Sequence, residues 1–299
     1  MKIAAITAYG GPDVLTIQDA PIPSPGEGEA LVAVVASTIN PVDLKTRTPG
    51  TPQQVGQFPT VLGWDIAGIV ISAPKDSGWV PGDRVIAMNP PRQDGSGSWQ
   101  QYVTIPASLL APAPARVDLP TAATLPLTAL TADQALQRLD LHAGDRLLVT
   151  GAAGSVGGMA VQLAASTGIE VTGLVSRSKH ESTVLSLGAD SACSSIHDVG
   201  GLDVVFDTAG IFDPRMLCEG GRLITVSDDT IPAELEQRAS SAVHNYVQHD
   251  PARLQELSTL VDDGTLTLRV AEIYPLSSIE AAHRKAEAGG LNGKIVITL

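Results

Sequence analysis

Short apolar runs rich in β-branched residues recur through the first third of the chain: ALVAVVASTI (residues 30–39), AGIVIS (67–72), DRVIAM (83–88) and QQYVTIP (100–106). Pro and Gly clusters such as PIPSPGEGE, TPGTP, VPGD and NPPRQDGSGS separate them. Runs of this length between turn residues predict a compact, barrel-like sheet with irregular loops. The pattern changes near Pro120. TAATLPLTALTADQALQRLDL spaces Ala and Leu as a helix does. Strand RLLVTG, helix VGGMAVQLAAST, strand EVTGLV, helix KHESTVLSLG, strands LDVVFDTAG and GRLITVS, and helix PARLQELSTLVDDG follow. Alternating strand and helix predicts an α/β fold with a parallel sheet and helices on its faces. The nearly unbroken apolarity of these strands fits burial on both faces. RVAEIYPL, SSIEAAHRKAEAGG and GKIVITL then read as strand, helix and strand. No internal repeat or low-complexity tract interrupts the pattern.

A chain of 299 residues with 43% hydrophobic residues has enough apolar material for two domains. Its 17% charged residues and lack of long polar tracts predict order throughout. The net charge of -13 argues against nucleic acid and anionic membranes as partners. No run approaches the roughly 20 apolar residues of a membrane helix, and the apolar start MKIAAITAYGG is short for a signal peptide. Two cysteines, Cys193 and Cys218, build neither a disulfide framework nor a cysteine-rich metal site. The expectation is a soluble cytoplasmic protein.

The stretch LLVTGAAGSVGGMAVQLA (residues 147–164) joins a strand to a helix through Gly151, Ala152, Ala153, Gly154, Ser155, Val156 and Gly157. Gly151, Gly154 and Gly157 form GxxGxxG, and from Ala152 the turn reads AxGxxG, a near relative of the dinucleotide fingerprint. Glycines let backbone approach a pyrophosphate, and the helix N-terminus offers free N–H groups to it. The same turn without a ligand is the plainer alternative. A site preferring NAD carries Asp or Glu about 20 residues on. Here the second strand ends in GLVSRSKH, placing Ser176, Arg177 and Lys179 there. Without a carboxylate to repel it, a 2′-phosphate can pair with two cations, so the cofactor reads as NADPH. A solvated helix start is the other reading of Arg177 and Lys179. Thr208, Ala209 and Gly210 follow the next strand, and Ser227 the one after; loops at these strand ends line the nicotinamide region.

With INPVDLKTR, FPTVLGWDIAGIV, PGDRVIAM, LPLTALTADQAL, GDRLLVTGAAGSVGGMAVQLA, LGAD and GKIVITL in view, the chain resembles the medium-chain dehydrogenase/reductase superfamily. Within it, the chain is similar to the zinc-free quinone oxidoreductase (zeta-crystallin-like) branch, over nearly its whole length. The resemblance implies a GroES-like catalytic domain, residues 1–119 and 268–299, with a Rossmann cofactor-binding domain, residues 120–267, inserted before its last segment. It also implies a homodimer and NADPH-dependent reduction of a quinone or an α,β-unsaturated carbonyl at the interdomain cleft.

Zinc-dependent relatives of this kind carry Cys where this chain has Asn40 and His where it has Trp64. Neither the indole nor the amide suits zinc, and the region of the structural zinc lobe, MNPPRQDGSGSWQQY, lacks cysteine. No metal is expected. Conjugated acceptors spread incoming charge onto an oxygen, so hydrogen-bond donors can replace a metal. Asn40 reads as that donor, or as a turn residue before Pro41. Trp64 walls the substrate pocket or fills a core. Asp43 and Arg47 are spaced for an ion pair on one short helix. The resemblance places Thr128 beside the cofactor, where a helix-start hydroxyl is the alternative. It also brings Asn292, Gly293 and Lys294 to the cofactor, against a plain hairpin turn. Trp99 and Gln100 flank the pocket or pack at a strand start. His142, His180, His197, His244, His249 and His283 show no metal or triad spacing.

Two departures keep other functions open. TPGTPQQVGQFP and SACSSIHD lack tyrosines that relatives place near substrate and adenine. An NADPH-binding redox sensor without turnover is therefore one alternative, and an enoyl-thioester reductase another.

Overall fold

The apolar runs form strands whose burial follows their predicted setting. The computed structural model describes residues 1–51, 55, 57–91 and 96–299. In chain order the strands are β1 Lys2–Ile6, β2 Leu15–Asp19, β3 Glu29–Thr38, β4 Thr60–Val61, β5 Asp65–Ser72, β6 Arg84–Met88, β7 Tyr102–Pro106 and β8 Ala111–Pro112. They continue as β9 Arg146–Thr150, β10 Glu170–Leu174, β11 Ser191–Cys193, β12 Leu202–Asp207, β13 Leu217–Thr225, β14 Ser241–His244, β15 Val270–Pro275 and β16 Lys294–Thr298. The helices are α1 Pro41–Arg47, α2 Leu119–Ala122, α3 Pro126–Leu139, α4 Ser155–Ser166, α5 Glu181–Ser186, α6 Ala233–Arg238, α7 Pro251–Asp262 and α8 Ile279–Ala288.

Two compact units result. The first comprises Met1–Leu127, His249–Asp262 and Leu268–Leu299. Its larger sheet runs β15-β16-β3-β5-β6-β8, with β7 also paired to β3. Along β3 the residues Ala30, Val32, Val34 and Ala36 point inward and alternate with more exposed neighbours, the period-two signature of a strand with one face in a core. Ala30, Val32 and Val34 pack with Ile66, Val70, Val85, Val103 and Ile105. A smaller sheet, β2-β1-β4, shares a second core with Trp99, Ile279, Ile295 and Ile297.

The second unit comprises Thr128–Gln248 and Asp263–Thr267. Its six strands run β11-β10-β9-β12-β13-β14, all parallel. Counted within the unit this is order 3-2-1-4-5-6, the doubly wound arrangement whose switch point lies between its first and fourth strands, β9 and β12. The α/β fold with a GroES-like β-rich part and a Rossmann-type parallel sheet is present.

Helix α7, which the alternation places among the second domain's elements, packs in the first unit instead. Leu254, Leu257 and Val261 are buried. Ser258 Oγ donates to the Pro112 carbonyl at 2.9 Å, and the Asp262 carboxylate accepts from the amides of Ala115 and Arg116 at 2.9 and 2.8 Å. Such long-range bonds leave no local mark in a helical repeat.

Candidate functional site

In the second unit the glycine turn leaves β9 at its carboxyl end and enters α4, whose N-cap is Gly154. Gly151 has φ +61, and a Cβ there would stand 2.6 Å from Thr208 Oγ1. At Gly157 a Cβ would stand 2.4 Å from the Gly151 carbonyl oxygen. Neither position has room for a side chain, so bare backbone fronts the helix N-terminus, as a dinucleotide cradle requires. The strand–turn–helix at residues 147–164 thus has the shape its sequence predicts. Ala152 and Ala153 are buried; Gly154, Ser155 and Val156 are half-buried.

The loop after β12 is tied to this turn by a buried carboxylate. Asp207 Oδ1 accepts from Thr150 Oγ1 at 2.5 Å and from the amides of Ala209 and Ile211 at 3.3 and 3.0 Å. Its Oδ2 accepts from Thr225 Oγ1 at 2.7 Å and the Gly210 amide at 3.0 Å. Thr208 closes the link, donating from Oγ1 to the Thr150 carbonyl at 2.7 Å. One side chain therefore fixes the ends of β9, β12 and β13 around Thr208, Ala209 and Gly210. Ser227, just beyond β13, donates to Asp229 Oδ2 at 2.5 Å.

Ser176, Arg177 and Lys179 are exposed just past β10. The side chains of Arg177 and Lys179 make no hydrogen bond or ion pair among the described residues. Free cations at the end of the second strand, with no carboxylate on that strand end, fit a phosphorylated ribose better than a bare one. Thr128, where α3 enters this unit, has a buried Oγ1 with no partner among the described residues. It makes no capping bond there.

The first unit holds a buried charged cluster. Asn40 leads into α1, and its backbone amide donates to Asp43 Oδ2 at 2.8 Å. Asp43 Oδ1 accepts from the Gly63 amide at 3.0 Å. Asn40 Nδ2 donates to Asp65 Oδ2 at 2.8 Å, and Thr38 Oγ1 donates to the same oxygen. Asp65 Oδ1 accepts from the Leu127 amide at 2.8 Å. Lys294, first residue of β16 and 5% exposed, donates from Nζ to Asn40 Oδ1 and stands 3.6 Å from Asp65 Oδ2. Burial lowers the Lys294 ammonium against the opposing pull of Asp65 and Asp43. Burial pushes Asp43 up to about 7, with the neighbouring Asp65 charge adding to the rise and the Asn40 amide opposing it.

This geometry changes three sequence readings. The spacing of Asp43 and Arg47 predicts an ion pair, but Asp43 turns to the amides of Asn40 and Gly63. Arg47 goes instead to the Gly10 carbonyl at 2.6 Å and to Glu287. Asn40 is fully buried and its amide is bonded at both ends, so as placed it offers no surface donor. Lys294 lies in this cluster, while the glycine turn belongs to the other unit. Asn292 is exposed and accepts from Arg269 at 2.5 Å.

Trp64, between Gly63 and Asp65, is half-buried, and its Nε1 is buried with no partner among the described residues. Trp99 is core, donating from Nε1 to the Thr38 carbonyl at 3.2 Å, and Gln100 donates to the Gly97 carbonyl at 2.7 Å. Parts of the segments 48–59 and 88–102, noted above for lacking tyrosine and cysteine, lie outside the described residues.

The Asn40 oxygen accepts an ammonium, both Asp65 oxygens are hydrogen-bonded, and an indole N–H has no lone pair to give. Among the described residues no group of three or more His, Cys, Asp or Glu could hold a metal ion. No described helix is long and apolar enough to cross a membrane.

Residues 26–115 match the alcohol dehydrogenase GroES-like domain family, and residues 182–297 match the zinc-binding dehydrogenase family. An Arabidopsis thaliana NADPH-dependent alkenal/one oxidoreductase is 32% identical across 99% of this chain and 79% of its own length. The chain belongs to the medium-chain dehydrogenase/reductase superfamily, in its quinone oxidoreductase branch. A second member, the quinone oxidoreductase of Lama guanicoe, is 27% identical over 100% of this chain and 98% of its own. The solved quinone oxidoreductase from Coxiella burnetii superposes with a TM-score of 0.90 at 27% identity, covering 100% and 99% of the two chains. A mycobacterial superfamily protein solved with NADPH gives 0.85 at 26% identity, with both chains fully covered.

Reasoning from sequence missed Asp207 as the organiser of the loop after β12. Its signal was present: an acid ending the apolar run LDVVFD, at the carboxyl end of a central strand where nothing but a hydrogen-bonding duty would keep it buried.

Proposed function

We propose that the chain is an NADPH-dependent, zinc-independent reductase of quinones or α,β-unsaturated carbonyls. One observation carries the cofactor assignment. A glycine turn with no room for side chains fronts a helix N-terminus at the sheet's switch point, and Arg177 and Lys179, unpaired among the described residues, stand at the end of the next strand. The backbone from Gly151 to Gly157 would hold the pyrophosphate, Ser176, Arg177 and Lys179 the 2′-phosphate, and the Thr208–Gly210 loop the nicotinamide ribose. NADPH would supply the hydride.

The acceptor class rests on the first unit and on the relatives. Where a zinc ligand set would stand, this chain has an ammonium, two carboxylates and an amide bonded to one another. No Lewis acid is provided for an isolated carbonyl, and a conjugated acceptor needs less polarisation. Asn40, Asp43, Asp65 and Lys294 act as the frame that fixes the Gly63–Asp65 segment. Strand β14, at the edge of the parallel sheet beside β13, supports a homodimer formed through that sheet.

Fluorescence titration with NADPH and NADH, followed by NADPH oxidation with a panel of quinones and enones, tests this reading. Tighter NADPH binding and turnover with a conjugated acceptor are expected. Equal affinity for the two cofactors would remove the 2′-phosphate assignment. Tight binding without oxidation of any acceptor would leave a redox sensor.

A further inference from the structure

Asp207, Thr225 and His244 lie in one row across the carboxyl ends of β12, β13 and β14, each opposite the next in register. The His244 ring sets Nδ1 3.0 Å from the Ser227 carbonyl oxygen. A carbonyl only accepts, so Nδ1 carries the hydrogen and donates it. That leaves Nε2 of the neutral ring as an acceptor. The ring is half-buried, and Nε2, which is not enclosed, has no partner among the described residues.

The residue that sets this tautomer is itself held. The Ser227 hydroxyl donates to Asp229 Oδ2 at 2.5 Å and accepts from the Asp229 amide at 3.1 Å, while the Ser227 amide donates to Thr225 Oγ1 at 3.0 Å. The loop after β12 packs on the same turn, since a Cβ on Gly210 would collide with Asp229 Oδ2. His244 thus offers an unused acceptor on a fixed mount, all of it within the second unit.

The strand order decides which half of a dinucleotide comes this way. The glycine turn follows β9, and Arg177 and Lys179 follow β10, its neighbour on one side. With the phosphorylated ribose on that side, the nicotinamide half runs the other way, over β12 and β13 towards β14. Strands lie about 4.8 Å apart, so His244 is about 10 Å beyond Asp207 along the row. The carboxamide is the outermost polar group of that half, and its N–H needs an acceptor.

We propose that His244 is a cofactor-binding residue whose Nε2 accepts a hydrogen bond from the carboxamide N–H of the nicotinamide. The proposal rests on the NADPH reading. The Ser227 carbonyl acts through it, because taking the Nδ1 hydrogen keeps the tautomer that accepts. A ring held by its carboxamide does not rotate about its glycosidic bond, so a single face is left to give hydride.

His244→Asn tests this, because the Asn amide can still donate to the Ser227 carbonyl but ends short of Nε2. Isothermal titration of the full chain compares three ligands: NADP+, its 3-acetylpyridine analogue, which lacks the carboxamide N–H, and 2′-phospho-ADP-ribose, which lacks the ring. The wild-type chain should bind NADP+ about fivefold more tightly than the analogue. His244→Asn should bind those two alike and hold 2′-phospho-ADP-ribose within about twofold of wild type. A variant that loses all three ligands together makes the histidine structural and overturns the proposal. So does a wild type without the preference, or a variant that keeps it. Wild-type protein that binds neither NADP+ nor 2′-phospho-ADP-ribose refutes the cofactor reading itself, a result distinct from these.

Discussion

Thr150 donates its hydroxyl hydrogen to Asp207 at 2.5 Å across 57 positions of sequence. The bond joins the residue that precedes the glycine turn to the residue that precedes the Thr208–Gly210 loop, so the two loops at the switch point share one anchor. Asp207→Asn would set an amide nitrogen against donors on one side of the carboxylate. The expected result is an NADPH dissociation constant raised about tenfold, from loop displacement costing roughly 1.4 kcal/mol. A fluorescence titration checks it, and unchanged affinity would show that the loop does not contact the cofactor.

Arg177 is exposed and makes no ion pair among the described residues. Arg177→Ala should therefore leave Tm unchanged while raising the NADPH dissociation constant about tenfold, given roughly 1.5–3 kcal/mol for a hydrogen bond to a charged group. NADH binding should not respond. A parallel loss for both cofactors would move Arg177 away from the 2′-phosphate.

Asp43 and His283 predict opposing pH effects on stability. Burial raises Asp43 to about 7, so the folded chain holds a proton there that the unfolded chain releases near pH 4. That contribution weakens the fold as pH rises from about 4 to 7. His283 is buried against Trp99 with ring centroids 4.9 Å apart. Burial, with Arg47 nearby, lowers its pKa to about 3. The unfolded ring gains a proton below about pH 6.5, so its contribution is present above that value and fades as pH falls towards 3.

Across pH 4 to 6.5 the two proton balances cancel. Denaturant titrations should show wild-type stability nearly flat there as far as these groups contribute. Asp43→Asn should uncover a decline on acidification, and His283→Leu a gain. Equal slopes in all three proteins would refute the assignment.

Lys294 and Asp65 should behave as a coupled pair. Lys294→Met leaves a buried carboxylate without its cation and should cost about 3–5 kcal/mol. Adding Asp65→Asn removes the stranded charge and should recover most of that loss. A double variant no more stable than the single one would deny the coupling.

The glycine turn was readable because everything that forms it is contiguous. Strand RLLVT, glycines at fixed spacing and the apolar helix after them lie within 20 residues, and the backbone alone performs the work. The first unit's cluster was not readable in the same way. Asn40 and Lys294 were each found as candidates, but the bond between them spans 254 positions, and no local pattern reports a pairing of that range. The spacing of Asp43 and Arg47 pointed to the commonest surface pair; buried amides at Asn40 and Gly63 gave Asp43 a better set of partners. The short strands β2, β4 and β14 were also unannounced, since a few residues of pairing need little hydrophobic patterning.

The first unit draws β15 and β16 from residues that follow all of Thr128–Gln248 in the chain. A ribosome therefore completes the parallel-sheet unit while β3 still lacks its β16 neighbour and two carboxylates await their lysine. Until translation reaches Lys294, the nascent polypeptide carries an apolar groove beside Trp99 that Ile295 and Ile297 will fill. That interval, when N-terminal segments are waiting for partners made last, is where chaperone capture and aggregation compete with folding.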